Sequence, residues 1–274
     1  MLAFAVAFFA AALPNAVVLQ PVANMYSKPT EDADVVSQAI YGTNVSILEQ
    51  KDGWANIRTP DDYTGWTSMA AMKTGEPYAA NGTVAQVQSL FAHLYREQNV
   101  TRHAPVITVP FETRLEVTGK PQDRWLEVRL ADGRTAFVQA GDVSLNASLL
   151  STADMLALSR KFLGLPYTWG GTSSFGYDCS GFMQMLERRH GVNMPRDAQP
   201  QADWSGVEPV DRKNLEPGDL LYFGNSPKHI THTGMYLGEG KFINATTYLT
   251  PMVRIDDLNE EHWTRLLVAT RRVK

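Results

Sequence analysis

The 274-residue chain is 44% hydrophobic and 20% charged, and its formal net charge at pH 7 is −4. The composition is ordinary for a globular protein, and the length allows one to three domains with a sizeable core. The weak negative charge gives no reason to expect nucleic acid or an anionic membrane surface as a partner. The sequence has no phosphate-binding glycine loop, no cysteine cluster and no HExxH motif, so it predicts no metal and no cofactor.

The chain opens with an uninterrupted apolar run, LAFAVAFFAAAL, at residues 2–13. The run is too short to span a bilayer comfortably but suits the apolar core of a signal peptide, although no positive residues precede it. We therefore expect residues 1–16 to be a signal peptide and the mature chain to be exported, periplasmic or in the cell wall, without a stable membrane span. A buried core segment is the alternative.

Two stretches, residues 17–75 and 84–146, consist of short strand-like runs separated by turn residues. Each contains a strand that begins with tryptophan, at Trp54 and Trp125, followed by a turn containing aspartate. The two stretches form a weak internal repeat. Their length and strand spacing predict two small β-barrels.

The character of the chain changes at residue 150. TADMLALSRKFLG, residues 152–164, has helical spacing of its apolar residues, and a second helix follows Cys179. Strand-like runs then occur at residues 219–223, 233–237, 241–245 and 266–270. Helices followed by antiparallel strands predict an α+β domain over residues 150–274.

Cys179 is the only cysteine of the chain and stands at the start of the second predicted helix. Asp178 is a good N-cap, and Gly191 is suited to end the helix. A thiol in the first helical turn faces the helix dipole and unpaired N–H groups, which predicts a lowered pKa and a nucleophilic thiolate. Glycines before the cysteine would let a ligand approach the backbone. A buried structural cysteine is the alternative.

A thiol nucleophile needs a base and a group that orients the base. Of six histidines, His232 is the best placed, because it opens the predicted strand THTGMYLG before a tight turn. The next strand, KFINA, brings Asn244 roughly opposite in an antiparallel hairpin. The Asn244 side-chain oxygen can accept the imidazole N–H, as in Cys-His-Asn proteases, although any single histidine is more often structural.

Four segments occur in order: YTWGG…DCSGF, MPRDAQPQ, PGDLLYF and HTGMYLGEGKFINA. Together they resemble the NlpC/P60 family of cell-wall cysteine peptidases over residues 150–274. The resemblance implies a papain-like catalytic domain, and the two preceding β stretches resemble bacterial SH3-type (SH3b) modules. The arrangement is similar to that of γ-D-glutamyl-L-diamino-acid endopeptidases, which cut short peptides derived from peptidoglycan stems.

By position, the resemblance implies that Cys179 is the nucleophile and His232 the general base. Asn244 falls where the family commonly has histidine, and it can still accept the imidazole N–H. The resemblance also implies a set of substrate-binding residues: Tyr167, Asp178, Ser180, Arg196, Asp197, Asp34 and Tyr63. The alternatives for these are structural: a core tyrosine, a helix cap, a first-turn serine, a salt bridge and a surface carboxylate.

The implied activity is hydrolysis of the γ-D-glutamyl-L-diamino-acid bond in murein stem peptides, by an exported monomer that needs a free N-terminal L-alanine. One alternative keeps the fold and changes the reaction to that of an amidase or acyltransferase. Another is a non-enzymatic cell-wall binding protein that uses its SH3b modules. Diaminopimelate and lysine both remain open at the diamino-acid position, as do intact wall and free recycled peptides as substrates.

Overall fold

The computed structural model describes residues 15–274. The expected signal peptide, residues 1–16, therefore lies outside the described residues except for Asn15 and Ala16, which belong to the first strand. Ala16 is buried in the core beneath that strand. No helix within residues 15–274 is long and apolar enough to cross a membrane.

The first β unit is a seven-stranded antiparallel sheet. Its burial pattern alternates as expected for strands with one buried face: in the fifth strand, Ala55 and Ile57 are fully buried and Arg58 is exposed. The strands are β1 (Asn15–Val18), β2 (Val22–Tyr26), β3 (Val35–Ile40), β4 (Asn44–Lys51), β5 (Trp54–Arg58), β6 (Thr64–Ser68) and β7 (Met72–Thr74). They pair in the order β3-β2-β6-β5-β4-β1-β7.

The second β unit repeats this arrangement. Its strands are β8 (Val84–Val87), β9 (Phe91–Tyr95), β10 (Ile107–Pro110), β11 (Arg114–Val117), β12 (Trp125–Arg129), β13 (Thr135–Gln139) and β14 (Val143–Ser144). They pair in the order β10-β9-β13-β12-β11-β8-β14. This is the strand order of the first β unit with each strand number increased by seven. The weak repeat in the sequence thus corresponds to a repeated sheet topology.

The tryptophans that marked the repeat occupy equivalent places in the two sheets. Trp54 begins β5 and meets Tyr26 edge-on at 5.6 Å, while Trp125 begins β12 and meets Tyr95 edge-on at 5.7 Å. Each pair joins the end of one strand to the start of another, so the same contact helps to close both sheets.

The third region has helices first and an antiparallel sheet afterwards, which confirms the predicted α+β organisation. Its helices are α1 (Thr152–Ser159), α2 (Cys179–His190), α3 (Ala198–Asp203) and α4 (Glu261–Leu266). Its strands are β15 (Thr172–Ser173), β16 (Gly176–Tyr177), β17 (Val207–Pro209), β18 (Leu220–Ser226), β19 (His229–Gly238), β20 (Lys241–Thr246), β21 (Met252–Asp257) and β22 (Leu267–Val273). The main sheet has the order β17-β22-β18-β19-β20-β21.

Helix α2 packs on the face of this sheet and holds the core of the region. Phe182, Met183 and Leu186 recur at helical spacing and are fully buried against strand residues such as Met235 and Ile243. The helix ends at Gly191, whose φ of 101° is the left-handed conformation that glycine adopts without strain. The predicted bounds of this helix are therefore confirmed.

Candidate active site

Cys179 is the first residue of α2, as predicted. The N-cap residue Asp178 accepts a hydrogen bond from the Gly181 N–H through Oδ1 at 2.7 Å. The backbone N–H groups of Ser180 and Thr233 face the thiol sulfur. Because Thr233 follows His232 on β19, this contact brings the thiol against the strand that carries the histidine.

The glycines around Cys179 are explained by packing between backbone segments. A Cβ atom on Gly181 would overlap the carbonyl oxygen of Gly171, and one on Gly171 would overlap that of Gly176. The loop before the cysteine therefore presses directly onto the start of α2. The expectation that the glycines before the cysteine open the backbone to a ligand is wrong for Gly171 and Gly176, since the protein itself fills the space beside them.

The expected lowering of the thiol pKa is also wrong. Cys179 is only 7% exposed, and burial raises the pKa of its thiol to about 12. The Asp178 carboxylate raises it further, while the Thr233 N–H, the Arg196 guanidinium and the Ser180 N–H act in the opposite direction. A thiol with so high a pKa is protonated at neutral pH.

His232 and Asn244 meet as predicted from the hairpin. His232 Nε2 lies 2.9 Å from Asn244 Oδ1 across strands β19 and β20. Asn244 is fully buried opposite Gly234, where a Cβ would come within 3.2 Å of the asparagine Cβ and closer to Phe242. Glycine at that position leaves room for the amide beside the imidazole. Since an amide oxygen only accepts, Nε2 must donate, and Nδ1 remains as the free acceptor.

The surroundings of His232 keep its imidazole neutral. Burial lowers the pKa of His232 to about 4, against the opposing effects of the Asn244 hydrogen bond and the Asp256 carboxylate. Trp263 stacks on the ring at 5.3 Å, and Phe223 lies 5.6 Å away. At neutral pH the imidazole is therefore unprotonated at Nδ1, which can accept a proton.

Arg196 connects Asp178 and Ser180 in a buried cluster. The guanidinium, 3% exposed, donates to both Asp178 oxygens at 3.0 and 2.5 Å and to Ser180 Oγ at 3.0 Å. Its Nε donates to Ser37 Oγ of β3 at 3.2 Å. Asp178 is thus both a helix cap and one partner of a buried ion pair beside the nucleophile.

The first β unit reaches this cluster at a second point. The Tyr63 hydroxyl donates to Asp197 Oδ2 at 3.1 Å, and burial together with Asp197 raises the pKa of Tyr63 to about 12. A cavity of about 310 Å³ lies at this contact, between residues 60–63 and residues 193–204. Its lining includes Arg196 and Asp197 but neither Cys179 nor His232.

The two remaining predicted residues, Tyr167 and Asp34, differ in how they relate to the site. Tyr167 lies near the thiol: burial raises the pKa of its hydroxyl, and the proximity of Cys179 and Asp178 raises it further. Asp34 is exposed and joins the cluster through no hydrogen bond of its side chain within residues 15–274. Its neighbour Val35 packs against Gly170, which puts Asp34 beside the loop that carries Tyr167. Asp34 alone among the predicted residues is not drawn into the site's hydrogen bonds or charges.

The sequence analysis missed four contributors: Ser37, Thr233, Asp256 and Trp263. Ser37 and Asp256 act on groups more than ten residues away, and no local pattern marks them. The segment EEHWTRLL around Trp263 does carry a signal, since its apolar residues have helical spacing, and it forms α4.

Comparison with known proteins shows what the chain is similar to. Residues 164–272 match the profile described as "NlpC/P60 family", and residues 25–72 match "Bacterial dipeptidyl-peptidase Sh3 domain". A Bacillus cereus protein named "Gamma-D-glutamyl-L-lysine dipeptidyl-peptidase" is 30% identical over 226 residues, 76% of this chain and 66% of the relative. A Bacillus subtilis protein of the same name is 28% identical over 251 residues, 88% of this chain and 82% of the relative.

A solved structure shares the fold. The crystal structure of an NlpC/P60 family protein from Bacillus cereus superposes with a TM-score of 0.83 and 24% identity. The match covers 94% of this chain and 99% of the solved one. The similarity therefore extends over both β units as well as the third region. At this identity it establishes the architecture, and the chemistry rests on the site itself.

Proposed function

Since this chain belongs to the NlpC/P60 family, we propose that it is a cysteine endopeptidase that hydrolyses the γ-D-glutamyl-L-diamino-acid bond of peptidoglycan-derived stem peptides. The observation that carries the proposal is the combination of Cys179 at a helix start with the hydrogen-bonded pair His232–Asn244 on the adjoining strands. The names of the two Bacillus relatives support the bond that is cut.

The reaction proceeds through a thioester. Cys179 Sγ attacks the γ-carbonyl carbon of D-glutamate while His232 Nδ1 takes the thiol proton, because the thiol is neutral in the free protein. Backbone N–H groups at the start of α2, with the Tyr167 hydroxyl, stabilise the oxyanion. The C–N bond then breaks, and protonated His232 gives its proton to the leaving amine of the diamino acid.

Hydrolysis of the thioester returns the enzyme to its resting state. His232, neutral again, takes a proton from water as the water oxygen attacks the thioester carbonyl. Collapse of the second intermediate breaks the C–S bond, and the thiolate recovers a proton from His232. The products are the dipeptide L-Ala-γ-D-Glu and either the free diamino acid or the peptide that begins with it.

We propose that the pocket recognises the free N-terminal amine of the substrate. Asp178 and Ser180 stand beside the nucleophile, and Arg196 holds the Asp178 carboxylate in place. Tyr63 and Asp34 belong to the first β unit and would form the outer wall. The mutual contacts of Arg196 and Asp197 with Ser37 and Tyr63 favour a supporting role for this pair.

The finer organisation belongs to the same proposal. We assign the residues that precede β1 to an export signal, since β1 already includes Asn15 and Ala16 of the expected residues 1–16. We assign residues 17–75 and 84–146 to two SH3b-type barrels and residues 150–274 to the catalytic domain. The repeated strand order supports SH3b character for the second unit as well as for the first. The mature monomer would then act outside the cytoplasm on wall-derived peptides.

The deciding experiment incubates the protein with L-Ala-γ-D-Glu-L-Lys, with its diaminopimelate counterpart, and with the same peptides N-acetylated or attached to glycan. Mass spectrometry should show the L-Ala-γ-D-Glu dipeptide from the free peptides and little from the blocked ones. Cys179→Ala should abolish release. Transfer of the acyl group to an added amine would point to an acyltransferase, and binding to sacculi without any cleavage would point to a wall-binding protein.

The state of the thiol can be tested separately. With the only cysteine of the chain as target, iodoacetamide labelling should be slow at pH 7 and should accelerate steadily up to pH 10, because burial raises the pKa of Cys179. Rapid labelling that reaches a plateau below pH 7 would show that the resting nucleophile is a thiolate.

A further inference from the structure

The candidate histidine is connected to a buried carboxylate that lies beyond the asparagine. Asn244 Oδ1 accepts from His232 Nε2 at 2.9 Å, and Asn244 Nδ2 donates to Asp256 Oδ2 at 2.9 Å. Asp256 lies on β21, the strand paired with β20, and its second oxygen forms an ion pair with Arg254. The Asp256 side chain is 1% exposed, and Asn244 is fully buried.

An asparagine cannot by itself specify what it presents to a histidine. Its oxygen and its NH₂ group have almost the same shape, and a half-turn of the amide exchanges an acceptor for a donor. The reversed amide would direct an N–H at His232 Nε2. That nitrogen would then have to be an acceptor, and the imidazole proton would move to Nδ1, the nitrogen needed to receive the thiol proton.

The contact at the other end of the amide removes this ambiguity. A carboxylate only accepts hydrogen bonds, so Asp256 is satisfied by Asn244 Nδ2 and would repel Asn244 Oδ1. Because both side chains are buried, leaving two acceptors face to face is costly enough to favour one orientation at least ~5-fold.

We propose that Asp256 is a positioning residue: it holds the Asn244 amide with its oxygen toward His232 and thereby keeps the imidazole proton on Nε2. The proposal rests on the proposed function, in which His232 Nδ1 is the base. Asn244 stands between Asp256 and His232, and the Asp256 carboxylate also favours a higher pKa of His232 through its charge. Arg254, paired with its other oxygen, completes the support.

The first test is Asp256→Asn, which preserves shape and removes the acceptor-only character. We expect kcat on the free tripeptide to fall about 10- to 100-fold with KM within about 2-fold, as for other groups that orient a functional histidine. Asp219→Asn is the matched control. Asp219 is also a buried aspartate, 3% exposed and paired with an arginine, Arg272, at 2.7 Å, but it has no hydrogen bond to the His232–Asn244 pair. Its kcat should be unchanged.

The second test exchanges the two side chains. In Asn244→Asp/Asp256→Asn, the carboxylate faces His232 and accepts its Nε2 proton, and the new asparagine donates to the carboxylate. We expect this double variant to recover at least about 10-fold of the kcat lost in Asp256→Asn, a coupling that independent effects would not produce. A double variant that is no better than Asp256→Asn overturns the proposal, even if the single variant folds poorly.

The third measurement needs no substrate. Nitrogen chemical shifts of ¹⁵N-histidine-labelled protein, compared with His232→Gln for assignment, report which ring nitrogen carries the proton. We expect the Nε2–H form in the wild type and in Asp219→Asn, and a mixture in Asp256→Asn. A folded Asp256→Asn that retains the pure Nε2–H form overturns the proposal whatever its kcat. If the wild type cleaves none of the peptides, the proposed function fails while this measurement still decides the role of Asp256.

Discussion

The two β units have the same strand order, yet they contact the third region at different places: the first beside the start of helix α2, through Arg196 and Thr172, and the second at the C-terminal end of α2. The first unit lies beside the N-terminal end, where Ser37 accepts from Arg196, the partner of Asp178 beside the thiol. Its Gln38 also accepts from the Thr172 N–H through its side chain and from the Thr172 hydroxyl through its backbone. Through these contacts the first unit packs against the residues that surround Cys179.

The second unit lies against the C-terminal end of the same helix. Glu112 pairs with Arg188 at 2.6 Å, and Gln86 accepts from Arg189 at 2.9 Å. Phe111 enters the core of the third region and meets Phe162 at 5.3 Å. Twelve helical residues span about 18 Å, so these contacts are far from Cys179.

The difference teaches that topology does not assign a role. Two copies of one sheet arrangement present different side chains to the third region: the first contacts Arg196, the ion-pair partner of Asp178 beside Cys179, and the second contacts Arg188 and Arg189. We therefore expect changes at the first interface to alter catalysis and changes at the second to alter stability alone. The following predictions test that division, beginning with the largest expected effect.

Arg196→Ala should be the most damaging change outside the catalytic pair. It leaves the Asp178 carboxylate buried without its arginine, which typically costs about 3–5 kcal/mol of unfolding free energy. It also loosens the residue next to the thiol, so kcat/KM on the tripeptide should fall roughly 100-fold or more. Urea denaturation and peptide kinetics measure both effects. A stable variant with full activity would show that the first unit does not support the site.

Glu187 tests the interior of helix α2, because its titration makes the unfolding free energy depend on pH. It is 1% exposed in the second half of α2, and burial raises its pKa to about 7. The unfolded chain releases this proton near pH 4.5, whereas the folded chain retains it to about pH 7. The unfolding free energy therefore falls as pH rises from about 4.5 to about 7 and does not recover above that. Glu187→Gln should therefore raise the unfolding free energy at pH 8 relative to pH 4.5 by about 3 kcal/mol compared with the wild type.

The control for Glu187 is Glu208→Gln, an exposed glutamate on β17 that should show no pH-dependent gain. Denaturant titrations at pH 4.5, 6 and 8 give the comparison. Equal effects of Glu187→Gln at all three pH values would mean that Glu187 is not a buried titrating group.

Glu112→Gln tests the second interface. It removes the charge from a pair whose arginine is 39% exposed on its side chain, so we expect a loss of about 1–2 kcal/mol in unfolding free energy. The kcat/KM value should remain within about 2-fold of the wild type, because no reacting group is in contact with this pair. A fall in kcat/KM comparable to that of Arg196→Ala would erase the distinction between the two units.

Tyr63→Phe should have the smallest effect and the most selective one. It deletes the hydrogen bond to Asp197 at 3.1 Å while keeping the ring. We expect KM for the free-amine peptide to rise about 2- to 10-fold, with kcat and the midpoint of thermal unfolding nearly unchanged. An effect on kcat rather than KM would place Tyr63 in the support of the catalytic pair and not in the pocket wall.

Several features of the site follow from short stretches of sequence. The N-cap at Asp178, the thiol in the first turn of α2 and the end of the helix at Gly191 depend on neighbouring residues. The contact between His232 and Asn244 spans twelve residues and one tight turn. The signals for helix caps, helix ends and hairpins are local in the sequence, which is why the sequence predicts these features.

The pattern of strand β21 is short and mixed and predicts no strand, whereas the apolar residues around Trp263 have the helical spacing of α4. In MVRIDD a buried aspartate takes the place of an apolar residue, so the alternation of a strand is hidden. Asp256 is buried because Arg254 and Asn244 satisfy its oxygens, and neither contact can be anticipated from composition. The missed elements thus contain the missed contributors, Asp256 and Trp263.

The sequence by itself determined the repeated β units, the α+β organisation, the position of Cys179 at the start of α2 and the contact of His232 with Asn244. Only the tertiary structure decided that the thiol is neutral, that Arg196 joins Asp178 to Ser37, and that one β unit rather than the other meets the active site. The physical reason is that caps, turns and hairpins depend on residues close in sequence. A pKa or a buried ion pair instead depends on everything packed around a group, and for Arg196 that includes Ser37, 159 residues away along the chain.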